Sequence, residues 1–148
     1  MNAGETRRLS VPATDAGIKA ALDALESLWA AQGVSRAVTW PVEVSLDEVL
    51  ANVVRHGLAG CGESAQVELE LQLEPGDPPR CEVRIKDDGP PFDPLAAAAP
   101  DTSLGIDERP IGGLGIELVK RLMDEVHYER KGGWNSLRLV RHLVAMEQ

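Results

Sequence analysis

Aromatic residues are scarce in this sequence, and long apolar runs are absent. Phenylalanine, tryptophan and tyrosine together make up 3% of the 148 residues, so a core must be built mainly from leucine, valine, isoleucine and alanine. No apolar run approaches the roughly 20 residues that a membrane-spanning helix needs. The N-terminus is polar and no apolar segment follows it, which is unlike a signal peptide. We therefore expect no membrane segment.

Cysteine and positive charge are also in short supply. Cys61 and Cys81 stand in neither a Cys-x-x-Cys pair nor a metal-ligand spacing, so we expect two reduced thiols and a cytoplasmic protein. The chain has 15 lysines and arginines against 24 acidic residues, a net charge of −9. Because no block is rich in lysine or arginine, this balance argues against a general binder of nucleic acid backbones. Proteins or small molecules are the expected partners.

The length and overall composition are those of one globular domain. A chain of 148 residues can bury a substantial core, and 43% hydrophobic with 26% charged residues is typical of such domains. No internal repeat is visible. We therefore predict a single domain over residues 1–148.

The segment formed by residues 109–124 combines glycines with a helical pattern. Gly112, Gly113 and Gly115 can take positive φ and let a ligand approach the backbone. The apolar residues behind them recur at helical spacing: Ile116, Leu118, Val119, Leu122 and Met123. A glycine turn that opens into a helix leaves the first amide N–H groups unpaired, and phosphate is the usual anion bound there. An ordinary loop before a helix is the alternative.

The first predicted elements are structural. A short strand is expected around Leu9 and Val11, and it stops at Pro12. Asp15 is expected to cap a helix that ends at Gln32-Gly33. The apolar stripe of this helix is Ile18, Leu22, Leu25, Leu28 and Trp29.

A second helix, predicted over about Pro41 to Leu58, carries polar residues beside its apolar stripe. At roughly 100° per residue, Glu48, Asn52 and His56 lie one turn apart. A solvated helix edge would explain a single glutamate or histidine, but asparagine is a poor helix former. An amide and a carboxylate at this spacing are suited to ligate Mg²⁺ and to orient a nucleophile.

Two alternating segments, about 66–73 and 81–85, predict an antiparallel hairpin. The second strand ends at Asp87-Asp88-Gly89. Composition alone predicts a turn there, but a carboxylate before a glycine is also well placed to accept a hydrogen bond from the exocyclic amine of a base. Residues 94–111 show no periodic pattern, and a loop of this length predicts a lid over a nucleotide.

The order of elements predicts an α+β fold. Two more strands are expected after the glycine-led helix, around Val126 and within Trp134 to Val144, joined by a turn at Lys131-Gly132-Gly133. The order β-α-α-β-β-lid-α-β-β favours a two-layer α/β sandwich, in which the helices cover one face of a mixed, mostly antiparallel sheet.

Three segments in this order resemble the boxes of the ATP-binding fold shared by gyrase, Hsp90, histidine kinases and MutL, the Bergerat or GHKL fold. The segments are Glu48-x-x-x-Asn52 with His56 (the N box), Asp87-x-Gly89 with Phe92 (the first glycine box), and Gly113-Leu114-Gly115 (the second). The single-domain length and residues 87–94 and 112–124 resemble one branch, the anti-sigma factors with serine protein kinase activity (RsbW and SpoIIAB type). Pro91 departs from the glycine that is usual in the wider superfamily.

The resemblance implies a role for each matched residue. Asn52 would hold Mg²⁺ against the phosphates of ATP, and Glu48 would be the general base for an attacking hydroxyl. Asp87 would bind the adenine amino group, and Gly89 would let the base approach. The second glycine box would cradle phosphate through Gly113, Leu114 and Gly115.

Two further positions stay open. Arg109, at the end of the lid, is either a phosphate contact or an exposed arginine without such a role. Asn135-x-Leu137 stands where the superfamily often has a Thr-x-Leu-like segment, and we assign it no role.

The resemblance implies an ATP- and Mg²⁺-dependent serine/threonine protein kinase. Its substrate would be a STAS-domain antagonist, its other partner a sigma factor or another effector, and its assembly a homodimer. One alternative is a nucleotide-dependent protein that sequesters partners without catalysis, which would not need Glu48. Another is the catalytic half of a histidine kinase, but no helical hairpin with a phosphoacceptor histidine is apparent.

Overall fold

Three α-helices and five strands make up the part of the chain that the computed structural model describes, residues 4–62, 64–96 and 113–145. In chain order they are β1 (Glu5–Pro12), α1 (Asp15–Gln32), α2 (Arg36–Asn52), a π-turn (Val53–Gly57), β2 (Gln66–Glu74), β3 (Arg80–Asp87), α3 (Gly113–Leu122), β4 (Glu125–Lys131) and β5 (Trp134–His142). No helix within these ranges is long and apolar enough to cross a membrane.

The five strands form one sheet in the order β1-β2-β3-β5-β4. Each neighbouring pair is antiparallel, so the predicted α+β class is confirmed, and the described strands contain no parallel pair. Because β5 lies between β3 and β4, the last residue of β3, Asp87, is paired with Asn135 near the start of β5. This pairing brings together two residues that are far apart in the sequence.

The core lies between the helices and one face of the sheet. Its largest fully buried side chains are aliphatic: Leu25, Leu28, Leu46, Leu50, Leu71, Leu73, Ile116, Leu139, Val42, Val49, Val67 and Val83. Burial of one such side chain stabilises the fold by about 1.5–3 kcal/mol. The expectation of a core built mainly from aliphatic residues is confirmed.

The N-cap of α1 differs from the prediction. The capping residue is Thr14, whose Oγ1 accepts a hydrogen bond from the Gly17 N–H at 3.1 Å, while Asp15 is the first residue of the helix. An acidic residue in the first turn still interacts favourably with the positive end of the helix dipole. The helix ends as predicted, with Gly33 at a φ of 65°.

The second helix begins earlier than predicted, at Arg36 instead of Pro41. Ser35 caps it by accepting a hydrogen bond from the Ala37 N–H at 3.2 Å. A proline inside a helix lacks a donor N–H and its ring crowds the carbonyl four residues earlier, but α2 continues through the buried Pro41. Beyond Asn52 the chain widens into the π-turn, in which the Leu58 N–H bonds the Val53 carbonyl at 2.8 Å.

The β4–β5 hairpin agrees with the prediction. Gly132 and Gly133 have φ values of 60° and 82°, which a two-residue turn of this kind requires. Of the predicted lid, residues 94–111, only 94–96 fall within the described residues. The lid and the single-domain division therefore stay predictions.

Candidate functional site

Helices α2 and α3 meet where Glu48 contacts Gly115. A Cβ built on Gly115 would lie 2.7 Å from Cδ and 3.4 Å from Cγ of Glu48, so any larger residue would displace the carboxylate. Gly115 lies inside α3 and does not have a positive φ. The left-handed backbone that the sequence allowed is therefore not used at Gly115. Glycine at this position lets the Glu48 carboxylate lie against the first turn of α3.

The second glycine box forms the start of α3. Gly113, Leu114 and Gly115 are its first residues, and the first amide N–H groups of an α-helix have no partner within the helix. The predicted phosphate cradle is therefore next to Glu48. Arg109 and Gly112 lie outside the described residues, and the proposed phosphate contact of Arg109 stays a prediction.

Asn52 lies one helical turn after Glu48, as the last residue of α2. It is only 7% exposed, and its side-chain amide has no hydrogen bond to another residue in the described ranges. Glu48, which is partly buried, forms no ion pair within those ranges either. An amide and a carboxylate thus lie together with hydrogen-bonding capacity that a ligand can use. His56 lies in the π-turn instead and is exposed.

Asp87 is the last residue of β3, and only one oxygen of its carboxylate accepts hydrogen bonds from described residues. The residue is 6% exposed, and its Oδ1 accepts hydrogen bonds from the Gly89 N–H at 3.0 Å and the Asn135 amide at 2.9 Å. Its Oδ2 accepts none from any other residue that the structure describes. This oxygen has acceptor capacity that no described residue uses, so it is suited to bind an N–H group of a ligand.

The turn after Asp87 packs directly against the end of α2 and its π-turn. A Cβ on Gly89 would lie 2.5 Å from Leu58 Cδ2, and a Cβ on Gly57 would lie 2.6 Å from Phe92 Cδ2. A side chain at either position would displace its neighbour, so the two glycines allow this close packing. Together with the contact of Glu48 and Gly115, this packing brings all three predicted boxes to the C-terminal end of α2.

Sequence reasoning missed the role of Asn135. Its amide nitrogen donates to Asp87 Oδ1 at 2.9 Å and to the Pro90 carbonyl at 2.8 Å. Its Oδ1 accepts hydrogen bonds from the Phe92 N–H at 3.1 Å and the Tyr128 hydroxyl at 2.5 Å. Asparagine is depleted in strands, so a buried asparagine at the start of β5 was the available signal.

Arg130 was missed as well. Its guanidinium donates a 2.6 Å hydrogen bond to the Gly89 carbonyl, so β4 supports the same turn from a second point. Nothing in the local pattern of an exposed strand arginine indicates this contact.

Three comparisons with known proteins show the family and the fold of this chain. The family model described as histidine kinase-like ATPase domain matches residues 11–141. Serine/threonine-protein kinase BtrW of Bordetella bronchiseptica is 31% identical over 138 residues, which cover 93% of this chain and 93% of that protein. The crystal structure of the RsbU and RsbW domains of Rv1364c from Mycobacterium tuberculosis is similar over 95% of this chain, with a TM-score of 0.66 and 15% identity. This chain corresponds to 32% of that longer chain, and at such identity the likeness concerns the fold alone.

Proposed function

The chain belongs to the histidine kinase-like ATPase domain family, and we propose that it is an ATP- and Mg²⁺-dependent serine/threonine protein kinase. The predicted resemblance to this ATPase and kinase family is confirmed by the family model and by the 31% identity to a serine/threonine-protein kinase, and the anti-sigma kinase branch is part of the proposal. The observation that carries the proposal is the position of Glu48. It is a carboxylate one turn from Asn52, in contact with Gly115 in the first turn of α3.

In this proposal the nucleotide lies across the three boxes. Asp87 Oδ2, which accepts no hydrogen bond from another described residue, takes the amino group of adenine beside Gly89. The phosphates lie at the start of α3, where Gly113, Leu114 and Gly115 present backbone N–H groups to an anion.

Asn52 fits a role as a magnesium ligand. Its buried amide has an oxygen that is not engaged by another described residue, and Mg²⁺ prefers oxygen ligands while sharing substrate phosphates. When bound, the ion would offset the negative charge of the phosphate oxygens. Arg109 is a further proposed phosphate contact.

Glu48 acts as the general base. It accepts the proton of a substrate serine or threonine hydroxyl as the hydroxyl oxygen bonds to the γ-phosphorus of ATP. The bond between that phosphorus and the ADP oxygen breaks in the same step, so the products are phosphoprotein and ADP. A carboxylate without an ion-pair partner among the described residues is available for this proton.

The partners proposed are those that the family resemblance implies. A STAS-domain antagonist would be the phosphorylated substrate, and a sigma factor or another effector would be the alternative client of a homodimeric kinase. Unphosphorylated antagonist would displace the client, and phosphorylation would release the antagonist. The cytoplasm is the proposed location, in agreement with two free cysteines in the structure.

Transfer of labelled phosphate from Mg-ATP to the cognate STAS-domain antagonist tests this proposal. Glu48→Ala should lower the rate by at least about 100-fold, the scale of a lost general base, while ADP binding is retained. Asp47→Ala is the matched control, because Asp47 is the exposed neighbour on the same helix. The kinase assignment is rejected if the wild-type protein transfers no phosphate. It is also rejected if Glu48→Ala is as active as wild type. Nucleotide-dependent partner capture without transfer would indicate the sequestering alternative.

A further inference from the structure

We propose that Asn135 is a positioning residue that sets the base selectivity of the nucleotide site by orienting Asp87. The inference rests on the proposed function, because it takes an adenine nucleotide to bind at Asp87. Asn135 lies on β5, outside the N box and the two glycine boxes, so the motifs of those boxes do not indicate its role.

The hydrogen-bonding capacity of Asn135 is used entirely by the protein. A side-chain amide offers two N–H donors and two acceptor lone pairs in one plane. Its donors serve Asp87 and Pro90, and its oxygen serves Phe92 and Tyr128. The residue is also only 4% exposed. Asn135 therefore has no free donor or acceptor for a ligand. It can affect nucleotide binding only by positioning the residues to which it is hydrogen-bonded.

The orientation of the amide is set by the two hydrogen-bond donors on its oxygen side. The Phe92 N–H can only donate, and the Tyr128 hydroxyl lies 2.5 Å from the same oxygen. The opposite side of the amide, which faces Asp87 Oδ1 and the Pro90 carbonyl, must therefore be the NH₂ group. An aspartate or leucine of similar size could not satisfy both sides at once.

This arrangement determines which oxygen of Asp87 is left for a ligand. Oδ1 is held by two donors, the Gly89 N–H and the Asn135 amide, so the carboxylate plane is fixed and Oδ2 remains. Adenine carries an amino donor at its 6-position, whereas guanine and hypoxanthine carry an oxygen acceptor there. A fixed Oδ2 would accept a hydrogen bond from the 6-amino group of adenine and would repel a 6-oxo group.

Loss of Asn135 would remove one of the two hydrogen bonds that hold the carboxylate. Asp87 could then rotate, which would free the Gly89 N–H to donate to a 6-oxo group. Selectivity between the two kinds of base should fall more than affinity itself. A residue that only stabilised the turn would weaken binding of both bases in the same proportion.

Calorimetric titration of the full chain with ADP and with inosine diphosphate tests this inference. Inosine diphosphate carries an oxygen in place of the 6-amino group. Wild type should prefer ADP by about 100-fold or more, since a site built to hydrogen-bond a group rejects the analogue that lacks it. Asn135→Ala should reduce that ratio by about tenfold, as expected for one lost hydrogen bond to a charged group.

Two further variants make the test specific. Tyr128→Phe removes the hydroxyl that holds the Asn135 oxygen and should lower the ADP preference by about two- to threefold. If a thermal melt shows that Asn135→Ala does not fold, the base preference of Tyr128→Phe tests the positioning role in its place. Arg130→Gln is the matched control, because Arg130 bonds the Gly89 carbonyl and not Asp87. It should weaken both nucleotides equally and leave their ratio unchanged.

The outcomes separate this inference from the proposed function. If wild type binds ADP and the ratio is unchanged in Asn135→Ala and Tyr128→Phe, the inference is overturned and the proposed function stands. If wild type binds neither nucleotide, the proposed function fails and this inference fails with it. A reduced ratio in either variant, with Arg130→Gln unchanged, supports the positioning role.

Discussion

Strand β3 carries two buried carboxylates whose surroundings differ. Glu82 and Asp87 are each only 6% exposed, but side chains at even and odd positions of a strand point to opposite faces. Glu82 lies on the face away from the helices, within 3.5 Å of Arg80, 3.2 Å of Arg84 and 2.5 Å of Arg138. Asp87 has only neutral donors and no ion pair within the described residues.

The difference separates a structural carboxylate from a binding one. Both oxygens of Glu82 are paired with arginines. Burial alone would raise the pKa of Glu82, but the hydrogen bonds and charges of Arg138 and Arg84 outweigh it, so the pKa is lowered. Asp87 keeps one oxygen without a donor from any described residue. We infer that incomplete pairing, more than burial, distinguishes a ligand site on this sheet.

The comparison predicts its largest effect for nucleotide binding. Asp87→Asn should weaken ADP binding by at least about 100-fold, because an amide replaces the charged acceptor and can present a donor to the amino group of adenine. Glu82→Gln, the matched change on the same strand, should leave ADP affinity within about twofold of wild type. Isothermal titration calorimetry measures both. Equal losses in the two variants would contradict the distinction.

The opposite order is expected for stability. Glu82→Gln should lower the free energy of unfolding by about 2 kcal/mol, because three arginines lose their counter-charge. The value is below the range for fully buried pairs since Arg84 is half exposed and screened by solvent. Asp87→Asn should change it by less than about 1 kcal/mol. Urea unfolding followed by circular dichroism gives both values, and a larger loss in Asp87→Asn would refute the structural role of Glu82.

A smaller effect is expected where Glu48 contacts α3. Gly115→Ala should reduce phosphotransfer about tenfold, because its Cβ would lie 2.7 Å from Cδ of Glu48 and displace the carboxylate from its reacting position. Alanine is the better helix former, so helix content should not fall. Lys120→Ala, at an exposed position of the same helix, is the control. Unchanged phosphotransfer in Gly115→Ala would show that the position of Glu48 is not critical.

The smallest effect is a pH dependence of stability. A carboxylate with a lowered pKa stabilises the fold at pH values above its unfolded pKa, and that contribution is lost as the pH falls through the folded pKa. The gap in unfolding free energy between wild type and Glu82→Gln should therefore narrow below pH 4.5, the ordinary value for glutamate. A gap that stays constant with pH would refute the lowered pKa.

Local patterns predicted most elements of this fold. Alternation indicated β2 and β3, helical spacing indicated α1 and α3, and glycine pairs indicated the β4–β5 turn. The start of α2 was predicted wrongly, because Pro41 suggests a helix boundary when the capping role of Ser35 is overlooked. The positive φ that glycine allows is not used at position 115, since that glycine contacts Glu48 on another helix.

Local patterns predicted the candidate site as three separate segments, and only the family resemblance implied that they meet around one nucleotide. Spacing within α2 related Glu48 to Asn52, because residues four apart share a helix face. No spacing related either residue to Gly115, or Asp87 to Asn135, since these pairs come from different elements. The contributions of Asn135, Tyr128 and Arg130 therefore appeared only with the structure.

By itself, the sequence determined the fold class, the family and the order of the three boxes, because these depend on periodicity and on short motifs within single elements. Only the tertiary structure decided that Glu48 contacts α3 and that Asn135 holds Asp87. The packing of α2 on α3 and the register of β3 against β5 determine those contacts. Both are properties of pairs of elements, and no local pattern contains them.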